Sequence, residues 1–320
     1  MLVLSSKDVE ELLPMRDCIA AVEEAMKDLA RGLFYQPLRL KARPEGVPNR
    51  MAFMPALRTA KPALWALKEI VVTPGNGSIG LDPHQGATLL HDGETGELLA
   101  TVNASAITAI RTAAMTAVAT RALARPDAKT VAILGSGVQA RAHMEALGVI
   151  LPQARYTIWS RTRGNAEKLA AEFSADVSDT IEAALAGADV VCTITGAYEP
   201  IVRREWFAPG CHLNAVGSSI AMAREIDGAT MAAGSLFVDR RESTVNEAGD
   251  YLFALQEGAI GPDHITAEIG DVLAGKHPGR TRADELTIFK SLGLAVQDLA
   301  AAELVVARAR QAGRGVDVPW

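Results

Sequence analysis

TVAILGSGVQA, residues 130–140, is the stretch that decides the fold. Val131, Ala132, Ile133 and Leu134 form a short apolar run that stops at Gly135-Ser136-Gly137, and a helical pattern opens at Val138-Gln139-Ala140. Strand, glycine turn and helix in this order match the G-x-G-x-x-G/A pattern that receives a dinucleotide pyrophosphate. Gly135 permits the sharp turn, Gly137 keeps side-chain atoms away from the phosphates, and Ala140 lets the helix lie close to the strand. The helix N-terminus then offers unsatisfied N–H groups and a partial positive charge.

Outward from this segment, strands and helices alternate: strands at 156–159, 189–193, 213–216 and 236–238, helices at 138–150 and 165–173. That alternation specifies βαβ units and a parallel sheet. Before it the pattern differs. Residues 7–31 carry Val9, Leu12, Leu13, Cys18, Ile19, Val22, Ala25 and Met26 at helical spacing. Strands follow at 51–54 and 66–72. Residues 87–91 and 98–102 flank a turn-rich DGETGE segment and predict a β-hairpin. A long alanine-rich helix over 105–123 leads into the parallel region, and an amphipathic helix over 293–312 ends it. The fold class is α/β, a Rossmann domain (residues 119–297) beside a mixed α+β domain (1–118, completed by about 298–320).

The second strand of the Rossmann unit ends in Ser160-Arg161-Thr162-Arg163. NAD-preferring folds place there a carboxylate that holds the ribose 2′-hydroxyl. Guanidinium and hydroxyl groups instead suit a 2′-phosphate. NADP(H) is the expected cofactor, with NAD(H) the alternative.

Three cations stand beside apolar or structured segments: Arg39 in Leu38-Arg39-Leu40, Lys68 in residues 64–71 and Arg111 in residues 107–114. Such cations cost desolvation unless an anion joins them. Singly, each reads as a snorkelling or salt-bridged side chain; together they suit a substrate carboxylate. Asp227 follows the loop that closes the strand at 213–216 and is the acid/base candidate, with a helix N-cap as its structural reading. His84 lies near a turn and is a weaker substrate-binding candidate.

The chain has 320 residues, 49 % hydrophobic and 22 % charged, with a net charge of −6. The acidic balance speaks against nucleic-acid binding. No segment approaches the ~20 apolar residues of a membrane span, and residues 1–14 do not read as a signal peptide. Three scattered cysteines, Cys18, Cys192 and Cys211, suit a reducing cytoplasm. The histidines show no metal-ligand spacing, so no metal is expected.

Several further segments, in order, resemble the ornithine cyclodeaminase/μ-crystallin family: MPAL at 54–57, LKEIV around Lys68, HQGATLLHDGETGELLA at 84–100, ITAIRTAA at 107–114, ILGSGVQA at 133–140, IWSRTRGNAEKLA at 158–170, LNAVGSS with EID within 213–227, and TIFKSLGLAVQDLAAA at 287–302. The resemblance implies a Rossmann domain joined to a substrate-binding and dimerisation domain, and a homodimer. It assigns carboxylate binding to Arg39, Lys68 and Arg111, and catalysis to Asp227 with Lys68. Cofactor contacts are expected at Gly135, Ser136, Gly137, Val138, Gln139 and Ala140, and at Ser160, Arg161 and Thr162. Further contacts are expected at Thr112, Thr193, Val216, Gly217 and Ser291.

Arg161-Thr162 and the Asn165–Lys168 run match the ketimine reductase branch rather than the cyclodeaminases, which carry an acidic residue after the second strand. The implied activity is that of an oxidoreductase acting on C=N bonds. It would reduce Δ1-pyrroline-2-carboxylate or Δ1-piperideine-2-carboxylate to L-proline or L-pipecolate with NADPH. The alternatives are a redox-neutral ornithine or lysine cyclodeaminase, an alanine dehydrogenase-like imino-acid reductase and a non-catalytic small-ligand-binding protein.

Overall fold

The computed structural model describes residues 1–319, apart from the side chains at 77 and 78. It divides into two compact units, Met1–Met115 with the segment from Leu294, and Thr116–Gly293. The helix Ala104–Leu123 carries the chain from one to the next.

The first unit is built on an eight-stranded mixed sheet. Its order is Val316–Asp317, Leu2–Leu4, Leu98–Asn103, His84–Asp92, Leu64–Val72, Arg50–Arg58 and Phe34–Tyr35, with Leu40–Ala42 also paired to Arg50–Arg58. The expected hairpin is present, with Leu90 opposite Ala100 and Thr88 opposite Val102. Side chains alternate across a strand. Leu64, Ala66, Lys68, Ile70 and Val72 therefore share one face of their strand, and all five are buried. The helix Ala295–Ala312 packs over this part of the sheet.

The helical pattern at 7–31 forms two helices, Ser6–Leu12 and Met15–Ala30. Pro14 separates them: it has no N–H to continue the first helix, and it pushes Leu13 out of the helical region. The strands Leu2–Leu4 and Val316–Asp317 are too short to leave a periodic signal; they pair with each other.

The second unit is an eight-stranded, wholly parallel sheet. The order is Asp176–Val177, Arg155–Trp159, Thr130–Leu134, Val190–Thr193, His212–Ala215, Thr287–Lys290, Ser235–Val238 and Ile265–Glu268. From Thr130–Leu134 the chain runs outward through two strands, then returns to Val190–Thr193 on the other side. The direction of winding reverses between these two strands, and a crevice opens at their carboxyl ends. Ile133, Leu134, Val190 and Cys192 are fully buried. Removing a side chain such as Leu134 from water contributes roughly 1.5–3 kcal/mol.

Candidate active site

The crevice at this reversal is a cleft of ≈ 390 Å³. Gly135, Ser136 and Gly137 form one wall; Ser160, Arg161, Thr162 and Asn165 form the second; Ile194, Thr195, Gly196 and Ala197 form the third. Gly135 has φ +136°, and a Cβ there would lie 2.5 Å from the Ile194 carbonyl. Gly137 is different, because a Cβ there would meet nothing within 4 Å. Its glycine leaves open space above the helix Val138–Ile150, whose N-terminus no side chain caps. Open space, uncapped N–H groups and a strand-end crevice together fit a dinucleotide pyrophosphate. Val138 and Gln139 lie in the first turn of this helix, and Ala140 is buried against the sheet.

At the end of Arg155–Trp159, Ser160 Oγ lies 2.7 Å from Ser136 Oγ. Arg161 makes no ion pair among the described residues. Arg163 is committed to Glu167 at 2.7 Å and to Asp179. No carboxylate lines the cleft.

Thr193, expected against the cofactor, is fully buried and donates its hydroxyl to Glu225 at 2.7 Å. The threonine that lines the cleft is Thr195, whose N–H and hydroxyl each donate to Glu225 Oε1 at 2.7 Å. Glu225 Oε2 also accepts from Gly217 N at 2.8 Å. A Cβ at Gly217 would come within 2.3 Å of the Thr195 carbonyl, so these two loops approach through a glycine. Behind them Lys290 Nζ lies 2.8 Å from Asp250 Oδ2 and donates to the Ala215 and Ser218 carbonyls. Asp250 Oδ1 accepts from the Glu225 and Ile226 N–H groups. Burial pushes the Glu225 carboxyl above its usual range; Asp250 adds to this and Lys290 opposes it. Val216 and Ser291 are buried at the ends of neighbouring strands, with Val216 N donating to Thr193 O and Ser291 N to Ala215 O.

Asp227 is the N-cap of the helix Gly228–Ala233, and its Oδ1 accepts from Thr230 N at 2.8 Å. The structural reading of this residue is therefore realised. Its Oδ2 takes no hydrogen bond among the described residues.

In the first unit the structure gathers the three expected cations. Lys68 is 2 % exposed and Arg111 4 %. Arg39 is close enough that its charge lowers the Lys68 pKa. Between Lys68 and Arg111 stands a residue the sequence reading did not single out, Asp298. Its Oδ1 accepts from Lys68 Nζ at 3.2 Å and from Arg111 Nε at 2.9 Å. Arg111 Nη1 donates to Gln297 Oε1 at 3.0 Å, and Nη2 stays uncommitted among the described residues. Thr88, opposite Lys68 in the sheet, has a buried hydroxyl without a partner. Burial lowers the Lys68 ammonium to about 7; Asp298 works against this, and Arg111 and Arg39 work with it. Thr112 follows Arg111 on the same helix and is half-buried. His84 lies four residues before Thr88 on its strand, roughly 13 Å away, and pairs with Asp82 at 3.6 Å.

The family model of the ornithine cyclodeaminase/mu-crystallin family matches residues 1–313. The chain belongs to this family. Among its relatives, ketimine reductase mu-crystallin of Mus musculus is 38 % identical over 308 residues, which cover 94 % of this chain and 95 % of the relative. The fold of Delta(1)-pyrroline-2-carboxylate reductase of Thermococcus litoralis, solved with NADH and L-proline, superimposes with a TM-score of 0.95. It is 34 % identical and covers 99 % of this chain and 100 % of its own. An archaeal alanine dehydrogenase dimer with bound NAD gives a TM-score of 0.94 at 30 % identity, covering 100 % and 99 %. Among the described residues no group of three or more His, Cys, Asp or Glu could hold a metal ion. No described helix is long and apolar enough to cross a membrane.

Proposed function

We propose that the chain is an NADPH-dependent reductase of cyclic ketimino acids, converting Δ1-pyrroline-2-carboxylate or Δ1-piperideine-2-carboxylate to L-proline or L-pipecolate. The observation that carries this reading is the Lys68–Asp298–Arg111 cluster. Two buried cations share one carboxylate oxygen, which leaves the group one positive charge in excess when Lys68 is protonated. A buried excess charge is costly unless a ligand of opposite sign completes it. The carboxylate of a ketimino acid is such a ligand, and Arg111 Nη2 is available to it. The reductases similar to this chain, one of them solved with NADH and L-proline, support the same substrate class.

When bound, the reduced nicotinamide supplies a hydride to the C=N carbon. Lys68, Arg111 and Arg39 fix the carboxylate, and so orient the ring for that transfer. A protonated C=N accepts hydride much better than a neutral one. Asp227, with Oδ2 uncommitted, is proposed to stabilise that cation or to supply its proton. The preference for NADPH rests on Arg161, which has no competing ion pair, and on the absence of any carboxylate in the cleft lining. The same absence disfavours the cyclodeaminase reading.

The enzyme is proposed to work as a cytoplasmic homodimer. Its three cysteines are buried free thiols. On the sheet face opposite Lys68, Met51, Phe53, Leu57, Trp65, Leu67, Val71 and Leu89 remain partly exposed, and Leu40 is 63 % exposed. Glu69, Gln85 and His91 share this face; its apolar residues call for a cover, and a second copy supplies one; the dimeric alanine dehydrogenase of similar fold supports this.

NADPH absorbance with purified enzyme and either ketimino acid, in the absence of ammonia, tests the reading. Stoichiometric NADPH oxidation is expected. No oxidation, with ammonia released instead from ornithine or lysine under catalytic NAD(P)+, would replace it with the cyclodeaminase reading.

A further inference from the structure

Asp298 lies on the helix Ala295–Ala312 among the buried residues Val296, Leu299, Ala301 and Ala302. Its side chain is 1 % exposed. Only Oδ1 takes hydrogen bonds, one from each cation; Oδ2 is buried and accepts none. The carboxylate therefore serves the two cations by position rather than by saturating its own hydrogen bonds.

The other charged and titratable groups whose fields reach this cluster do not supply a second anion. Arg111 on Ala104–Leu123 and Arg39 ahead of Leu40–Ala42 are cations that disfavour a charged Lys68. Cys18 on Met15–Ala30 faces Arg111 and Asp298, but burial pushes its thiol up to about 12, so it stays neutral. Among the leading influences on Lys68, Asp298 is the anion.

We propose that Asp298 is a positioning residue that holds Lys68 protonated before substrate arrives, so that the pocket presents two cations to the incoming carboxylate and loses one of them as the pH rises. This rests on the reading that the pocket takes a carboxylate. Without the Asp298 charge, an ammonium already brought to about 7 by burial would give up its proton at still lower pH. Carboxylate binding would then fade from a more acidic point, while binding well below that point would remain.

The test follows Lys68 directly in the ligand-free, full-length protein. Lysine is labelled at Cε with carbon-13, and the Lys68 resonance is identified by its loss in Lys68→Met. In Asp298→Asn the midpoint of that resonance is expected to move to lower pH by at least one unit, and Asp298→Glu is expected to restore it in part. The dissociation constant of furan-2-carboxylate, a ring carboxylate with no basic nitrogen, should follow each protein's midpoint. It should weaken up to ten-fold per pH unit above it and lose this dependence in Lys68→Met.

Coincident midpoints in wild type and Asp298→Asn would overturn the proposal, as would an Asp298→Asn variant that binds furan-2-carboxylate more weakly by the same factor at every pH. If Asp298→Asn does not fold, Asp298→Glu decides: a Lys68 midpoint displaced to lower pH, with furan-2-carboxylate affinity following it, upholds the proposal, and a midpoint that coincides with the wild-type one overturns it. A shifted midpoint without furan-2-carboxylate binding would remove the carboxylate reading and leave the role of Asp298 in place.

Discussion

Each unit buries a lysine against an aspartate, and the two groups are balanced differently. In the first, Lys68 and Arg111 share one oxygen of Asp298, and the Asp298 Oδ2 and the Thr88 hydroxyl are left without partners. In the second, Lys290 faces two acids. Asp250 and Glu225 collect hydrogen bonds from Thr193, Thr195, Gly217 and the backbone of Glu225 and Ile226. In the second group Asp250 Oδ2 also takes no hydrogen bond but lies 2.8 Å from the Lys290 ammonium; every other acid oxygen is filled from within the chain, and the group braces two loops, one of which walls the dinucleotide cleft. The first has cationic donors to spare. A buried ionic group that its own neighbours satisfy is architecture; one left with excess charge points to a ligand.

The comparison breaks most visibly if both groups respond alike to the loss of a cation. Lys290→Met strands two acids in the core, and about 3–5 kcal/mol of stability should be lost, measured by denaturant unfolding. Arg111→Met leaves Lys68 and Asp298 paired one to one. Its unfolding free energy should change much less, while kcat/KM for the ketimino acid falls by about 2–5 kcal/mol of transition-state binding, or roughly 30- to 5,000-fold. NADPH affinity should hold. If Arg111→Met unfolds as readily as Lys290→Met, the distinction is wrong.

A smaller effect sharpens the dinucleotide side. Arg161→Asp should move the NADPH/NADH preference ratio by about 1.5–3 kcal/mol, or roughly 13- to 160-fold, toward NADH. An unchanged ratio of kcat/KM values would separate Arg161 from the 2′-phosphate.

The last effect is a slope, in the pH dependence of stability. His143 and His212 are buried in the second unit, and burial lowers them to about 4 and about 3. Below the unfolded value near 6.5 the unfolded chain takes up protons that the folded one refuses. Stability is thus lost as the pH falls from about 6.5 toward those values, by about 1.4 kcal/mol per unit for each histidine. His143→Gln should flatten the unfolding slope between pH 6 and 4.5 by that amount. Lys68 acts in another window. Its value is depressed, so its contribution to stability rises with pH from about 7 toward the unfolded value near 10.5.

The same contrast governs what was legible in the sequence. The dinucleotide cleft was readable because Gly135, Gly137 and the strand before them are contiguous, and Ser160–Thr162 end the next strand. The cation cluster draws on positions 39, 68, 111 and 298, which only the fold brings together. Lys68 and Arg111 stood out as charges among apolar neighbours. Asp298 in AVQDLAAA and Lys290 in TIFKSLG carry the same signal. The brace formed by Glu225, Asp250 and Gly217 leaves no pattern, because its hydrogen bonds run to backbone and hydroxyl groups. The break at Pro14 was hidden by apolar spacing that continues across it.

The most direct test of the reductase assignment follows the hydride itself. The enzyme is given Δ1-pyrroline-2-carboxylate with NADPH carrying deuterium at the nicotinamide C4, each face labelled in turn. One of the two labels should appear at the α-carbon of L-proline, with one NADP+ formed per proline. Proline formed without deuterium, or without net NADPH consumption, would contradict the account.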